Sequence, residues 1–194
     1  SAFEAEVDGK QVSLYTLQAG ELTMQVTNFG ARVVTLWTPD KSGNQEDIVL
    51  GYNNLENYVN NPGERFLGAV VGPYANRIAK GTYTIGDQVY NFPQNNNGQT
   101  LHGGLKGLDM VVWDVDTLTT DSIVFSYLRA DGQECMPGNL KIVMTYTITP
   151  ENEFRVDYLA QTDKATHVNI SHHSFFNLKG EGNGTINDHV LYIN

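Results

Sequence analysis

The clearest structural signal in the chain is the stretch Leu140-Lys141-Ile142-Val143-Met144-Thr145-Tyr146-Thr147-Ile148, in which every second residue from Leu140 onward is apolar. Side chains of a β-strand point alternately to its two faces, so this pattern predicts a strand with one face on a core and the other on solvent or a cleft. Pro150-Glu151-Asn152 interrupts the alternation and Phe154–Gln161 resumes it, which predicts two strands joined by a turn.

Shorter stretches on either side repeat the alternation. Leu22–Thr27 predicts a strand, and Thr82–Ile85 with Gln88–Asn91 predicts a hairpin that turns at Gly86-Asp87. Val190–Asn194 is predicted as a further strand.

One segment favours a helix instead. A turn or two is predicted around Asn54–Tyr58, with Asn53 or Asn54 as its cap. The roughly dozen strands, without internal repeat or linker, otherwise predict an all-β fold: one large antiparallel β-sandwich domain over residues 1–194.

Composition narrows the class of partner. The chain has 22 acidic and 12 basic residues and a formal charge of −10, which disfavours nucleic acid and anionic lipid and suits a neutral small molecule. No apolar run is long enough to predict a membrane span. The lone Cys135 has no disulfide partner, and no zinc-type spacing occurs. No signal peptide is recognisable, so a cytoplasmic location is the default expectation. Because the sequence starts at Ser1 rather than Met, a periplasmic or secreted protein whose signal peptide was removed is the alternative.

Two polar clusters stand in predicted turns. In Gly72-Pro73-Tyr74-Ala75-Asn76-Arg77-Ile78, Arg77 offers a rigid donor fork for paired oxygens and Asn76 both a donor and an acceptor, although a surface arginine after a strand looks the same. In Thr100-Leu101-His102-Gly103-Gly104, the glycines allow close approach of a ligand to the backbone and the histidine suits proton transfer. An inconsequential turn histidine fits that second pattern equally well.

The third cluster is His167-Val168-Asn169-Ile170-Ser171-His172-His173, followed by Ser174–Leu178. As a strand it would carry His167, Asn169, Ser171 and His173 on one wholly polar face, which is typical of a cleft wall. This alternation selects His173 as the residue that meets a ligand and turns His172 toward the core; a bulge near Ser171 would reverse the choice. A purely structural role for both histidines remains the alternative.

Taken together, these motifs resemble the aldose 1-epimerase, or galactose mutarotase, family from about Asn28 to the last residue. The resemblance is carried by four groups in this order: Asn28-Phe29-Gly30-Ala31, Gly68–Gly72 with Ala75-Asn76-Arg77-Ile78, Leu101-His102-Gly103-Gly104, and His173-Ser174-Phe175-Phe176-Asn177-Leu178. It implies a β-sandwich that interconverts the α and β anomers of free aldoses by opening and reclosing the sugar ring, with no metal or cofactor.

Site residues follow from the same resemblance. His173 is similar to the general acid at the ring oxygen, His102 to the second catalytic histidine, and Arg77 with Asn76 to the ligands of the sugar hydroxyls. The chain departs from the family at His172, where asparagine is usual, and at Cys135-Met136, where glycine with an aromatic residue is common.

Length is the largest departure, because family members are usually much longer. The resemblance implies that the catalytic glutamate and a substrate-binding aspartate follow residue 194, so the domain is expected to be incomplete and inactive alone. A non-catalytic carbohydrate-binding module of the same fold, or a hexose-6-phosphate mutarotase, is the alternative, though the latter should need added basic residues for the phosphate. Preferred sugar and oligomeric state stay open.

Overall fold

The computed structural model describes residues 2–194, and sixteen β-strands make up most of the regular structure within that range. The strands are β1 (Ala5–Val7), β2 (Lys10–Val12), β3 (Leu14–Ala19), β4 (Leu22–Thr27), β5 (Arg32–Pro39), β6 (Gln45–Asp47), β7 (Ala69–Val71), β8 (Arg77–Ile78), β9 (Thr82–Ile85), β10 (Gln88–Asn91), β11 (Thr100–Leu101), β12 (Asp114–Leu118), β13 (Ser122–Arg129), β14 (Leu140–Ile148), β15 (Phe154–Thr162) and β16 (Ser171–His173). The described residues also form one α-helix, α1 (Leu55–Asn60), and short 3-10 turns at Ala79–Gly81, Leu108–Met110 and Gln133–Cys135. None of these helical segments is long and apolar enough to cross a membrane.

Two four-stranded antiparallel sheets form the body of the fold, one in the order β3-β4-β5-β6 and the other β12-β13-β14-β15. Inward side chains of both sheets belong to one buried cluster, to which Leu17, Met24, Val26, Val33, Ile123, Phe125, Ile142 and Met144 contribute. Burial of large apolar side chains is worth about 1.5–3 kcal/mol each, so this interface is the main source of stability. The predicted β-sandwich is confirmed.

Strand β14 shows why the alternation was informative. All five of its apolar alternate residues are buried, and Tyr146 satisfies its hydroxyl by donating to the carbonyl of Ala31 at 2.8 Å. Its partner β15 runs antiparallel to it over its whole length, with Tyr158 opposite Met144. The predicted pair of strands joined by a turn is therefore confirmed.

The local turn and cap predictions also hold. β9 and β10 pair from Ile85 opposite Gln88, and Gly86 at the turn has φ 57°, a conformation that suits glycine. Helix α1 begins after Asn54, whose side-chain oxygen accepts from the backbone N–H of Asn57 at 2.9 Å.

Two strand predictions were wrong, one in its extent and one altogether. Only Ser171–His173 of the segment predicted from His167 onward is a strand, because the chain before it bonds to a loop: Asn169 donates to the Pro73 carbonyl and accepts from Ala75, both at 2.7 Å. Residues 190–194 form no strand, since none of the described strands runs beside them.

Candidate active site

Two histidines from distant parts of the sequence meet at the edge of the sandwich. β16 pairs with β7 so that His173 stands opposite Ala69, and His102 directly follows β11. The two imidazole rings are nearly perpendicular, at 85°, with centroids 5.1 Å apart. The structure thus brings together the two histidines that the sequence singled out.

The pairing of β8 with β11 brings Asn76 and Arg77 to the same place. Leu101 lies opposite Arg77 in this pair of strands. One position further along, the His102 N–H donates to the Asn76 carbonyl at 3.0 Å. The Asn76 N–H donates in return to Nδ1 of His102 at 2.9 Å. Both residues have left-handed backbone conformations, with φ 61° at Asn76 and φ 50° at His102, so backbone geometry fixes this contact.

That contact determines the state of His102. Because Nδ1 accepts a hydrogen bond, the neutral ring carries its proton on Nε2. Burial first of all, together with the charges of His173, Arg77 and Arg65, lowers the pKa of His102 to about 4. At neutral pH His102 is therefore an uncharged ring with one N–H to donate.

Arg77 is an exposed side chain held at one side only. Its Nε donates to Oδ1 of Asn96 at 3.1 Å, and its Nη1 donates to Oδ1 of Asn76 at 3.2 Å. Within residues 2–194, Nη2 has no hydrogen-bond partner. Arg77 thus keeps donors directed to solvent that hydroxyl oxygens of a ligand can accept.

Sequence reasoning gave no role to two aromatic side chains at this site. The Phe66 ring lies 4.6 Å from the His102 ring and 5.7 Å from the His173 ring, and Phe175 lies 5.0 Å from His173. Phe66 stands in a loop without periodicity, so no pattern in the sequence marked it.

His172 turns to the opposite side of β16, as the alternation predicted. Its ring packs edge-on against Tyr146 at 5.7 Å and Phe154 at 5.4 Å. Its Nε2 is buried and meets no hydrogen-bond partner among the described residues. Burial and the charge of His173 lower the pKa of His172 to about 4, so it is neutral at pH 7 and packs against the core.

His167 does not join His173. Its ring lies 4.4 Å from Tyr83 and 6.3 Å from Tyr74, beside a cavity of about 260 Å³ that Arg77 also lines. The predicted continuous polar face fails because the residues before Ser171 leave the strand.

The glycines after His102 allow close packing of the loop. A Cβ on Gly103 would overlap the Gly72 carbonyl, and one on Gly104 would overlap the Glu134 carboxylate. Both have positive φ, 90° and 97°, so they let the loop that carries His102 lie directly on its neighbours. The close approach of a ligand to this backbone stays a prediction.

Comparisons with known proteins agree on one family. The aldose 1-epimerase family model matches residues 13–194. Mouse galactose mutarotase is 39% identical over 185 residues, which cover 95% of this chain and 53% of the mouse protein. The aldose 1-epimerase of Haemophilus influenzae is 31% identical, over 96% of this chain and 54% of its own length. The chain therefore spans about half the length of the curated relatives it matches.

Solved structures give the same result. The GalM/aldose epimerase homologue from C. elegans superposes with a TM-score of 0.82 at 30% identity, covering 87% of this chain and 52% of that one. Galactose 1-epimerase from Lactobacillus acidophilus superposes with a TM-score of 0.77, also at 30% identity, covering 90% of this chain and 52% of that one.

Proposed function

The chain belongs to the aldose 1-epimerase family, and from this membership we propose that the protein interconverts the α and β anomers of free aldoses such as galactose and glucose. The observation that carries the proposal is the perpendicular pair of His102 and His173, beside the open donors of Arg77. Neutral sugars suit a chain with a net charge of −10 better than phosphorylated ones do.

In the proposed reaction His173 is the general acid. A base removes the proton of the anomeric hydroxyl, the bond between C1 and the ring oxygen breaks, and His173 donates a proton to that oxygen. Rotation about the C1–C2 bond and the reverse proton transfers then close the ring on the other face. The resemblance assigns the base to a glutamate outside residues 1–194.

The other site residues hold the sugar in this scheme. His102 is neutral at pH 7 and can donate its Nε2 proton to a sugar oxygen, so it polarises that oxygen without competing for the transferred proton. Arg77, steadied by Asn76 and Asn96, binds hydroxyls through the rest of its fork.

Polarimetry on freshly dissolved α-D-galactose tests the proposal. We expect the complete product of the gene to accelerate the approach to anomeric equilibrium, and the 194-residue chain alone to leave the spontaneous rate unchanged. Galactose binding by calorimetry, without any acceleration by the complete product, would instead identify a carbohydrate-binding module. Acceleration by the 194 residues alone would show that the base lies within them.

A further inference from the structure

Phe66 occupies an unusual position, because its half-buried ring touches both histidines of the candidate site. It lies 4.6 Å from His102 at 69° and 5.7 Å from His173 at 37°, measured between ring centroids and ring planes. Its backbone carbonyl accepts from the N–H of Ala69, the residue opposite His173 in the β7–β16 pair. Any movement of Phe66 would therefore be transmitted to both imidazoles.

A buried arginine holds the backbone on each side of Phe66. Nη1 of Arg32 donates to the carbonyls of Arg65 and Leu67, both at 2.9 Å, and these are the two residues that flank Phe66. The Arg32 side chain is fully buried, and burial lowers its pKa to about 10, which leaves it charged at neutral pH. The backbone on either side of Phe66 is thus held by the charged guanidinium of Arg32, which is itself buried in the core.

A second arginine holds the ring. Arg65 makes a bidentate pair with the buried Asp109, Nε to Oδ2 at 2.6 Å and Nη2 to Oδ1 at 3.0 Å. Its guanidinium carbon lies 5.0 Å from the centre of the Phe66 ring, within the range of a cation–π contact. Arg32 is tied to the same residue, because its Nη2 donates to the Asp109 backbone carbonyl at 3.0 Å.

By itself, such a network contributes little net stability to the fold. Desolvation of two arginines and a carboxylate offsets most of their attraction, and apolar side chains of similar volume often serve a core equally well. What the network does is hold the loop that carries Phe66, whose ring lies against the histidine pair.

We propose that Phe66 is a positioning residue: its ring, held by the network of Arg32, Arg65 and Asp109, fixes the orientation of His102 relative to His173. The kinetic consequence rests on the proposed function, whereas the ring geometry does not. Phe66 acts through the histidines and transfers no proton itself.

Nuclear Overhauser contacts between the His102 and His173 ring protons test the geometry in the complete protein. We expect Phe66→Leu to weaken or scatter these contacts and Phe66→Tyr to restore them. Phe176→Leu is the matched control, since Phe176 is exposed and its ring lies against no histidine among the described residues. Unchanged contacts in Phe66→Leu would overturn the proposal, even if the protein is an active epimerase.

The network of Arg32, Arg65 and Asp109 is tested separately through Arg65→Gln, which keeps phenylalanine at position 66 and alters a side chain that is partly exposed. It should weaken the same contacts less than Phe66→Leu does, and add little once Phe66 is leucine. If the two changes act independently, the network does not work through Phe66. This variant also keeps the test open should Phe66→Leu fail to fold.

Kinetics give the second readout. If the protein is an epimerase, Phe66→Leu should lower kcat about tenfold with KM changed by no more than about twofold, because orientation rather than binding is lost. A rise in KM with unchanged kcat would make Phe66 a binding residue instead. Absence of wild-type activity would remove the proposed function but leave the Overhauser test of ring geometry decisive.

Discussion

The two faces of β16 present adjacent histidines to opposite surroundings. On one face, His173 meets the His102 ring at 5.1 Å in a site built from loops and short strands. On the other, His172 packs against Tyr146 and Phe154, which belong to the sandwich core or lie on it. Two neighbouring residues of one strand thus face opposite surroundings, one a candidate reactive centre and the other the hydrophobic interior.

Proton affinity alone does not identify which face of β16 carries the candidate reactive centre. Burial lowers the pKa of both His102 and His172 to about 4. They differ in the partners of their nitrogens: Nδ1 of His102 accepts from Asn76 and leaves Nε2–H to donate, whereas Nε2 of His172 is buried without a partner in the described chain. Hydrogen bonding and access, not pKa, separate the site from the core.

Replacing His173 and replacing His172 should have very different effects on activity. In the complete protein, His173→Ala should reduce mutarotation roughly 10³-fold, since loss of a general acid typically costs 10²–10⁴. His172→Asn should keep activity within a few-fold, because His172 faces the core. Polarimetric rates of the two variants, with circular dichroism as a check on folding, give the measurement. Equal losses in both would mean that the two faces are not functionally distinct.

The second prediction concerns stability on the His172 face. The folded pKa of His172, about 4, lies below its ordinary value of 6.5, so the unfolded state binds more protons between these two values. Stability therefore rises with pH across this window and is lost as the pH falls through it. The depression corresponds to a contribution on the order of 3 kcal/mol at pH 7 relative to pH 4.

Urea unfolding at several pH values between 4 and 7 measures this effect. Carboxylates titrate in the same range, so the informative quantity is the difference between wild type and His172→Asn, which cannot titrate there. The variant's free energy of unfolding should depend less on pH. Parallel curves for the two proteins would show that His172 does not couple protonation to folding.

Strand periodicity explains which parts of this picture the sequence could predict. The alternation of Leu140–Ile148 gave a buried face, and the same rule gave His172 and His173 opposite directions, because side-chain direction in a strand follows from local backbone geometry alone. The hairpin at Gly86-Asp87 and the Asn54 cap were also local.

What the sequence could not predict depends on distant partners. Alternation from His167 to Ile170 did not make a strand, because Asn169 bonds to the loop of residues 73–75 instead. Phe66 was missed because its place depends on Arg32 and Asp109, which are 77 positions apart. No spacing rule links residues that meet only through tertiary packing.

Arg77 should contribute to sugar binding on the His173 face. Arg77→Ala should raise KM about tenfold or more with kcat little changed, since hydrogen bonds to a charged donor contribute about 1.5–3 kcal/mol. Arg77→Lys should recover only part of the loss, because lysine keeps the charge but not the planar fork. Initial rates over a range of galactose concentrations separate KM from kcat. A loss confined to kcat would place Arg77 in the chemical step rather than in binding.

Substitutions of Asn76 test whether backbone conformation, rather than packing, stabilises the His173 side of the site. Asn76 has φ 61°, a region that asparagine and glycine enter more easily than alanine. Asn76→Ala should therefore cost about 1 kcal/mol in the free energy of unfolding, whereas Asn76→Gly should cost less, although both lose the amide that steadies Arg77. Both keep the backbone N–H that donates to His102, so the histidine pair should survive in each. Equal destabilisation by the two changes would mean that the Asn76 amide, not its backbone, stabilises this side.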